Sequence, residues 1–338
     1  MSSPAWFTNE LIEEDYFLRL AFPDSSTSSA CEHHRPSPRR RSFISLGLQI
    51  EEEEKKSIVI PHYQWLSKQV AFLLSGFYGK LIVSHGYLEK GDQFWVPELT
   101  IDPIPYFDSP PFNDKPRKAT SIKPDVSICK GVLADFLFRS DSGDWSRIIA
   151  ACESYHGALR FLSSDPMLAF VLILSGLEVL SLGCEVSDED IFDERFYGKM
   201  LAIKSELKDG LKIYKELRSR LYQISQRTAI YVDQILDDPF YTAHESREPF
   251  MSLQPENIKQ RIKAAYGLRS KYLHTGQSIG GWARYDTNMR ADIVLGDPVV
   301  GDSELKKMIS RSPTLNGLER IFQYCLFQEI QIMTANKS

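Results

Sequence analysis

Cysteine is scarce in this chain and poorly placed for chemistry. There are five (Cys31, Cys129, Cys152, Cys184 and Cys325), scattered along the chain and none in C-x-x-C spacing. That excludes a zinc knuckle or a disulfide framework and fits a reducing compartment. Long apolar runs are also missing. The most apolar stretch, Met167 to Leu177, is followed at once by Glu178 and falls short of the ~20 residues a membrane span needs. Met1 to Asn9 lacks the cationic start and apolar core of a secretory signal. Positive charge is in deficit, with 40 Lys and Arg against 45 Asp and Glu, a net −5. The field of the whole chain therefore does not draw in a polyanion, and any such site has to be a local patch. No internal repeat is present. These absences describe a soluble, cytoplasmic protein with no membrane contact, no bound metal and no cofactor.

A hydrophobic content of 43% and a charged content of 25% are ordinary globular values. At 338 residues the chain exceeds the roughly 250–300 at which single cores stop growing, so two domains are expected. The expected class is α+β, with a β-rich N-terminal domain over 1–144 and an all-α bundle over 145–338. In the first part, strands are expected near Asp15–Ala21, at Phe43–Ile50, Ile58–Ile60, Leu81–Ser84, Phe94–Leu99 and Asp125–Lys130. Tyr63–Phe77 carries apolar residues at helical spacing. The Ser/Pro stretch 23–42, with Arg39–Arg41 at its end, reads as a solvated loop. His62 and His85 stand isolated.

The texture changes near Asp144. Trp145–Leu162 is amphipathic at three-to-four spacing. Asp165-Pro166 supplies an N-cap and a proline at the first helical position. It opens Met167–Leu182, apolar around most of its circumference and so expected at the bundle's centre. Phe196–Leu207 and a long Leu211–Leu236 follow, the latter with Leu217, Leu221, Ile224 and Ile235 on its seam. A helix then starts at Pro255 and ends at Gly276, and Ser303–Lys307 and Leu315–Met333 complete the set.

The Pro255 helix carries the chemistry. From Asn257 to Arg284 there is no Asp or Glu, while Lys259, Arg261, Lys263, Arg269, Lys271 and Arg284 supply positive charge. Ile258, Ile262, Ala265, Arg269 and Tyr272 form one stripe, which puts Arg269 on the face that is buried or pressed on a partner. A guanidinium there is costly unless an anion meets it. His274 is about 140° around an ideal helix from Arg269, so the two converge only if the helix ends or bends. Thr275-Gly276 offers that end. A charged arginine beside a titratable imidazole suits RNA cleavage, in which the ribose 2′-OH is a built-in nucleophile. The spacing is unspecific, and an arginine held by an interior carboxylate beside a surface histidine gives the same pattern. Glu178, alone in an apolar helix, is such a carboxylate, either as a structural partner of Arg269 or as an active-site group.

The segment Leu268-Arg-Ser-Lys-Tyr-Leu-His-Thr-Gly276 resembles the Arg-x4–6-His motif of HEPN domains, most closely the Apea-like branch. Tyr155-His-Gly-Ala-Leu-Arg160 and Phe170-Val-Leu-Ile-Leu-Ser-Gly-Leu-Glu-Val-Leu180 are similar to that branch's early helices. The resemblance covers about 145–335, and Tyr63–His85 is faintly similar to the domain that often precedes the bundle. It implies a metal-independent endoribonuclease working as a homodimer in a toxin–antitoxin or anti-phage system, with an antitoxin or phage-derived trigger as partner. By the same resemblance Arg269 and His274 are the catalytic pair and Glu178 supports them. Lys263, Ser270, Lys271, Tyr272 and Arg284 are the residues expected on the RNA. Ser270 stands where active members often carry Asn, Asp or His. The alternative is a non-catalytic module of the same fold that binds RNA, a nucleotide or a partner protein.

Overall fold

The structure, a computed structural model, describes residues 1–5, 7–21, 42–48, 63–86, 89–90, 93–94, 116–139, 143–192, 194–221 and 224–335. Near the N-terminus, β1 (Ser2–Ser3), β2 (Leu11–Ile12), β3 (Tyr16–Ala21) and β4 (Ser42–Leu48) form an antiparallel sheet in the order β1-β4-β3-β2. Its inward residues Tyr16, Leu18 and Ile44 alternate with exposed or half-exposed ones, as a half-buried sheet requires. A two-residue hairpin, β5 (Glu89–Lys90) and β6 (Gln93–Phe94), stands apart.

The helices are α1 (Tyr63–Tyr78), α2 (Lys130–Arg139), α3 (Gly143–Phe161), α4 (Pro166–Ser181), α5 (Asp188–Ile191), α6 (Glu194–Glu206), α7 (Gly210–Leu221), α8 (Ile224–Ile235), α9 (Asp238–Thr242), α10 (Ile258–Thr275), α11 (Ser303–Arg311) and α12 (Leu315–Ala335). The described chain is thus α+β and mostly helical. None of its helices is long and apolar enough to cross a membrane.

Helix α4 forms where its cap predicts. Asp165 accepts from the Leu168 amide at 3.0 Å, and Pro166 follows at the first position. It lies at the centre, with α3, α8, α10 and α12 packed around it. Gly176 is the point of closest approach to α12: a Cβ there would lie 2.0 Å from Cζ of Phe322, whose ring sits edge-on to Tyr155. Gly176→Ala is therefore expected to cost about 1–3 kcal/mol through forced repacking, read as a melting temperature lower by several degrees.

Three expectations need correcting. Asp125–Lys130 is not a strand: the Asp125 carboxylate accepts from the Ser127 amide and caps a short 3₁₀ turn (Val126–Cys129) that runs into α2. Leu81–Ser84 pairs, among the described residues, through a single bridge, Val83 to Ser2, and not through a ladder. Ile224 is exposed at the start of α8 rather than on a buried seam; the expected helix Leu211–Leu236 is seen as α7 and α8, with 222–223 outside the described residues. The strand expected at Ile58–Ile60, most of Phe94–Leu99, the Arg39–Arg41 loop and His62 also lie outside them.

One cluster of buried side chains runs from Ala5 through α1, α3 and α4 to Met333 of α12, so the sheet and the bundle share apolar contact across residue 144. Within it, His156 of α3 packs its ring 4.9 Å from that of Phe72, and Nε2 has no partner. Burial first, then the nearby Arg160, pulls its pKa from 6.5 to about 4, against the opposing Ile82 carbonyl. The folded state thus binds fewer protons than the unfolded one between those values, so stability is complete above pH 6.5 and drains away as pH falls towards 4. The shift is worth about 3 kcal/mol as an order of magnitude. Urea midpoints taken from pH 7 to 4 should fall steeply, and His156→Leu should flatten that dependence.

Candidate functional site

Helix α10 is regular from Ile258 to Thr275 and stops at Gly276, which takes φ 69° and donates its amide to the Tyr272 carbonyl at 2.8 Å. Left-handed φ costs glycine little, which explains the residue at this end. Because the helix is continuous through both positions, Arg269 and His274 keep their angular separation and face different sides. Arg269 turns inward. Its Nη1 donates to Glu178 Oε2 at 2.9 Å and its Nη2 to Ser175 Oγ at 3.2 Å, both on α4. The guanidinium carbon lies 5.7 Å from the centre of the Tyr266 ring, one turn back. The pair is only partly buried, with side-chain exposures of 22% for Arg269 and 27% for Glu178. The Nε–H is buried and finds no acceptor. A buried donor left unpaired costs about 1–3 kcal/mol, so packing alone does not favour this arrangement.

A second tier lies beneath. The Tyr266 hydroxyl contacts the Leu174 carbonyl at 3.1 Å and Thr228 Oγ1 at 3.2 Å. Burial raises its pKa above the ordinary tyrosine value. Ser181 Oγ meets Thr228 Oγ1 and receives Arg227 Nε, each at 3.2 Å. Ser175, Glu178 and Ser181 recur every three residues on an otherwise apolar helix. That polar stripe was the available sequence signal for Ser175 and Ser181, neither of which the motif alone singles out.

His274 lies on the outside, exposed, with no hydrogen-bond partner among the described residues. Ser270 and Lys263 are exposed as well. Tyr272 is half-buried at the edge of the core, and Tyr266 is a packing residue. Lys271 is committed elsewhere: its Nζ is 2.5 Å from Asp302 Oδ2, and that hydrogen bond holds the Asp302 carboxyl below the usual range. Asp302 in turn caps α11 through the Glu304 and Leu305 amides.

The acid-free run draws its counter-charges from other elements. Lys259 pairs with Asp233 at 3.0 Å. Arg261 donates to Asn257 Oδ1 at 2.9 Å and to the Arg311 carbonyl at 3.4 Å. With Arg269 on Glu178 and Lys271 on Asp302, Lys263 and Arg284 are the two cations of the run with no such partner among the described residues. Arg284 stands at an open cleft of about 560 Å³ beside Trp282, Asp286 and Asn288. Three of the six charges in the expected basic patch are thus neutralised by carboxylates of other elements, and Arg261 is spent on neutral acceptors. Among the described residues, no three His, Cys, Asp or Glu side chains converge as a metal site.

No family model, curated protein or solved structure matches the chain. What the site does has to come from its own atoms. It presents a partly exposed guanidinium oriented by a carboxylate and a hydroxyl, with its buried Nε–H unpaired, and an imidazole exposed about one and a half turns further along the same helix. One copy does not bring the two onto a common substrate atom.

Proposed function

We propose that the chain is a metal-independent endoribonuclease of the HEPN type whose cleft forms between the α10 ends of two copies. The observation that carries this is Arg269, fixed by Glu178 and Ser175 yet still partly exposed and with a buried N–H left unpaired. Such preorganisation suits a group that stabilises charge developing on a phosphate. The reaction is a transesterification. The 2′-oxygen attacks phosphorus, the P–O5′ bond breaks, and a 2′,3′-cyclic phosphate and a 5′-hydroxyl result. His274 of one copy accepts the 2′ proton, and His274 of the other returns a proton to O5′. The residues before 144 are a sensing part, and the setting is a toxin or anti-phage effector.

The second reading is a non-catalytic module of the same fold that binds RNA, a nucleotide or a protein. It is favoured by the closed Arg269–Glu178 pair and the opposite facing of His274. Purified protein incubated with RNA in EDTA separates the two. Cleavage lost in both His274→Ala and Arg269→Ala supports the enzyme, cleavage that survives both sinks it, and RNA binding without cleavage supports the module. A strictly monomeric mass in solution removes the composite cleft.

A further inference from the structure

Helices α6 and α7 pack on each other and meet the rest of the bundle chiefly at the short α5. Among the described residues neither contributes a side chain to the main apolar core. Met200 and Tyr214 are buried, the Tyr214 ring lies under Lys204 of the facing helix, and its hydroxyl is anchored to Asp188 of α5. The hairpin is an arm, and its charge differs from that of the chain bearing it. Residues 194–221 hold eight Lys and Arg (Arg195, Lys199, Lys204, Lys208, Lys212, Lys215, Arg218, Arg220) against four acids (Glu194, Glu206, Asp209, Glu216), a net of +4. Subtracting these from the totals of 40 and 45 leaves 32 basic and 41 acidic residues elsewhere, a net of −9.

Five of these cations are unspent among the described residues. Arg195, Lys199, Lys208, Lys212 and Lys215 are all exposed, and none has an ion-pair partner among the described residues. Lys204, also exposed, lies over the Tyr214 ring. Lys212 and Lys215 are three apart and share a face of α7, while Arg195 and Lys199 are four apart and share one of α6. Contrast the α10 run, where four of six cations are already spent inside the chain. At the foot of the arm, Asp188, Glu189 and Asp190 make α5 acidic, so a polyanion is repelled there and held towards the tip.

We infer that the α6–α7 hairpin is the arm that grips the phosphate backbone of single-stranded RNA and delivers it to the α10 cleft. The identity of the polyanion rests on the ribonuclease reading; the arm's affinity for phosphate does not. Contacts of this kind track the backbone without reading sequence, and each releases a condensed counterion. Leu201, Leu207 and Leu211 are exposed between the cations and offer apolar contact to unstacked bases. The same leucines would serve a lipid surface, so the experiment includes one.

The test compares His274→Ala protein with the same protein also carrying Lys199→Gln, Lys208→Gln, Lys212→Gln and Lys215→Gln. Both are titrated with a fluorescent single-stranded RNA across a range of salt. Four lost phosphate contacts at about 0.7 counterions each should lower the log–log salt slope by about 3 and weaken binding at least tenfold near 0.1 M salt. Helical content and melting temperature should not change, because the four side chains are exposed and unpaired. An unchanged slope overturns the arm. So does a loss of binding to phosphatidylserine vesicles with RNA binding intact. Cleavage is assayed separately on protein retaining His274. Arm-dependent binding with no cleavage by that protein would keep the arm and remove the ribonuclease reading; cleavage with arm-independent binding would do the reverse.

Discussion

Arg117→Met is expected to cost about 3–5 kcal/mol, the usual cost of stranding buried charge by removing its partner. Arg117 is 2% exposed, and each of its three nitrogens donates to a carboxylate. Nε donates to Glu245 Oε1 at 2.7 Å, while Nη1 and Nη2 grip Glu319 in a two-point bond at 2.6 and 2.8 Å. The Tyr155 hydroxyl donates to the same Glu319 oxygen at 2.5 Å. Burial alone would raise the Glu245 pKa, but Arg117 outweighs it and holds that carboxyl below the ordinary value. Methionine fills much of the same length and leaves two buried carboxylates with no cation between them.

The pH dependence separates this account from simple loss of packing. In the intact protein Glu245 has a depressed folded pKa, so its stabilisation is present above the unfolded value and is lost as pH falls through the folded one. In Arg117→Met the buried carboxylates gain raised pKa values. The folded state then binds more protons than the unfolded one, and stability falls as pH rises. Urea midpoints at pH 5 and pH 8 should therefore show a larger deficit at pH 8. Replacing all three groups at once (Arg117→Met, Glu245→Leu, Glu319→Leu) should recover much of the loss, since no charge is left to strand. A deficit independent of pH and not relieved by the triple change would mean that cavity formation dominates.

What could be read from residue order divides by range. Helices α4 and α10 were legible because their ends are written locally, in Asp165-Pro166 and in Thr275-Gly276. The strands at Tyr16–Ala21 and Ser42–Leu48 were legible from alternation. Val126–Cys129 also alternates, but Asp125 caps it into a turn, and two-residue periodicity over four residues cannot tell the two apart. The Arg117 network spans 128 and 202 positions in the chain, and no local pattern announces it. The same range effect hid the fate of the acid-free run. Its six charges are visible in sequence, but Asp233, Asp302 and Glu178, which neutralise half of them, arrive from other helices. In the α6–α7 hairpin the excess of cations was visible as well, yet it dissolves into a chain total of −5 unless counted over the hairpin alone.

On the proposed function, His274→Ala should lower cleavage by at least about 10²–10⁴-fold, the range for losing one general acid or base, since the substitution removes both. Arg269→Ala should cost about 10²–10³-fold, by analogy with removing one preorganised donor from an oxyanion site. Glu178 distinguishes an oriented arginine from a merely buried one. If Glu178 only neutralises Arg269, Glu178→Gln lowers the melting temperature a little and leaves turnover alone, because an ion pair about a quarter exposed on each side is heavily screened. If Glu178 aims the guanidinium, the glutamine variant loses kcat while KM stays near its original value, since the positioned charge acts on the transition state more than on bound RNA. Arg269→Lys sharpens the same point. An ammonium keeps the charge but cannot hold Glu178 and Ser175 from two nitrogens at once. Its activity should therefore fall close to that of Arg269→Ala, whereas a role as a bare phosphate counter-charge predicts substantial retention. Mixing wild-type with His274→Ala protein adds the last constraint. A cleft that takes one histidine from each copy is disabled in the mixed dimer, so activity should fall well below simple dilution, whereas a site contained within one chain should fall only in proportion to it.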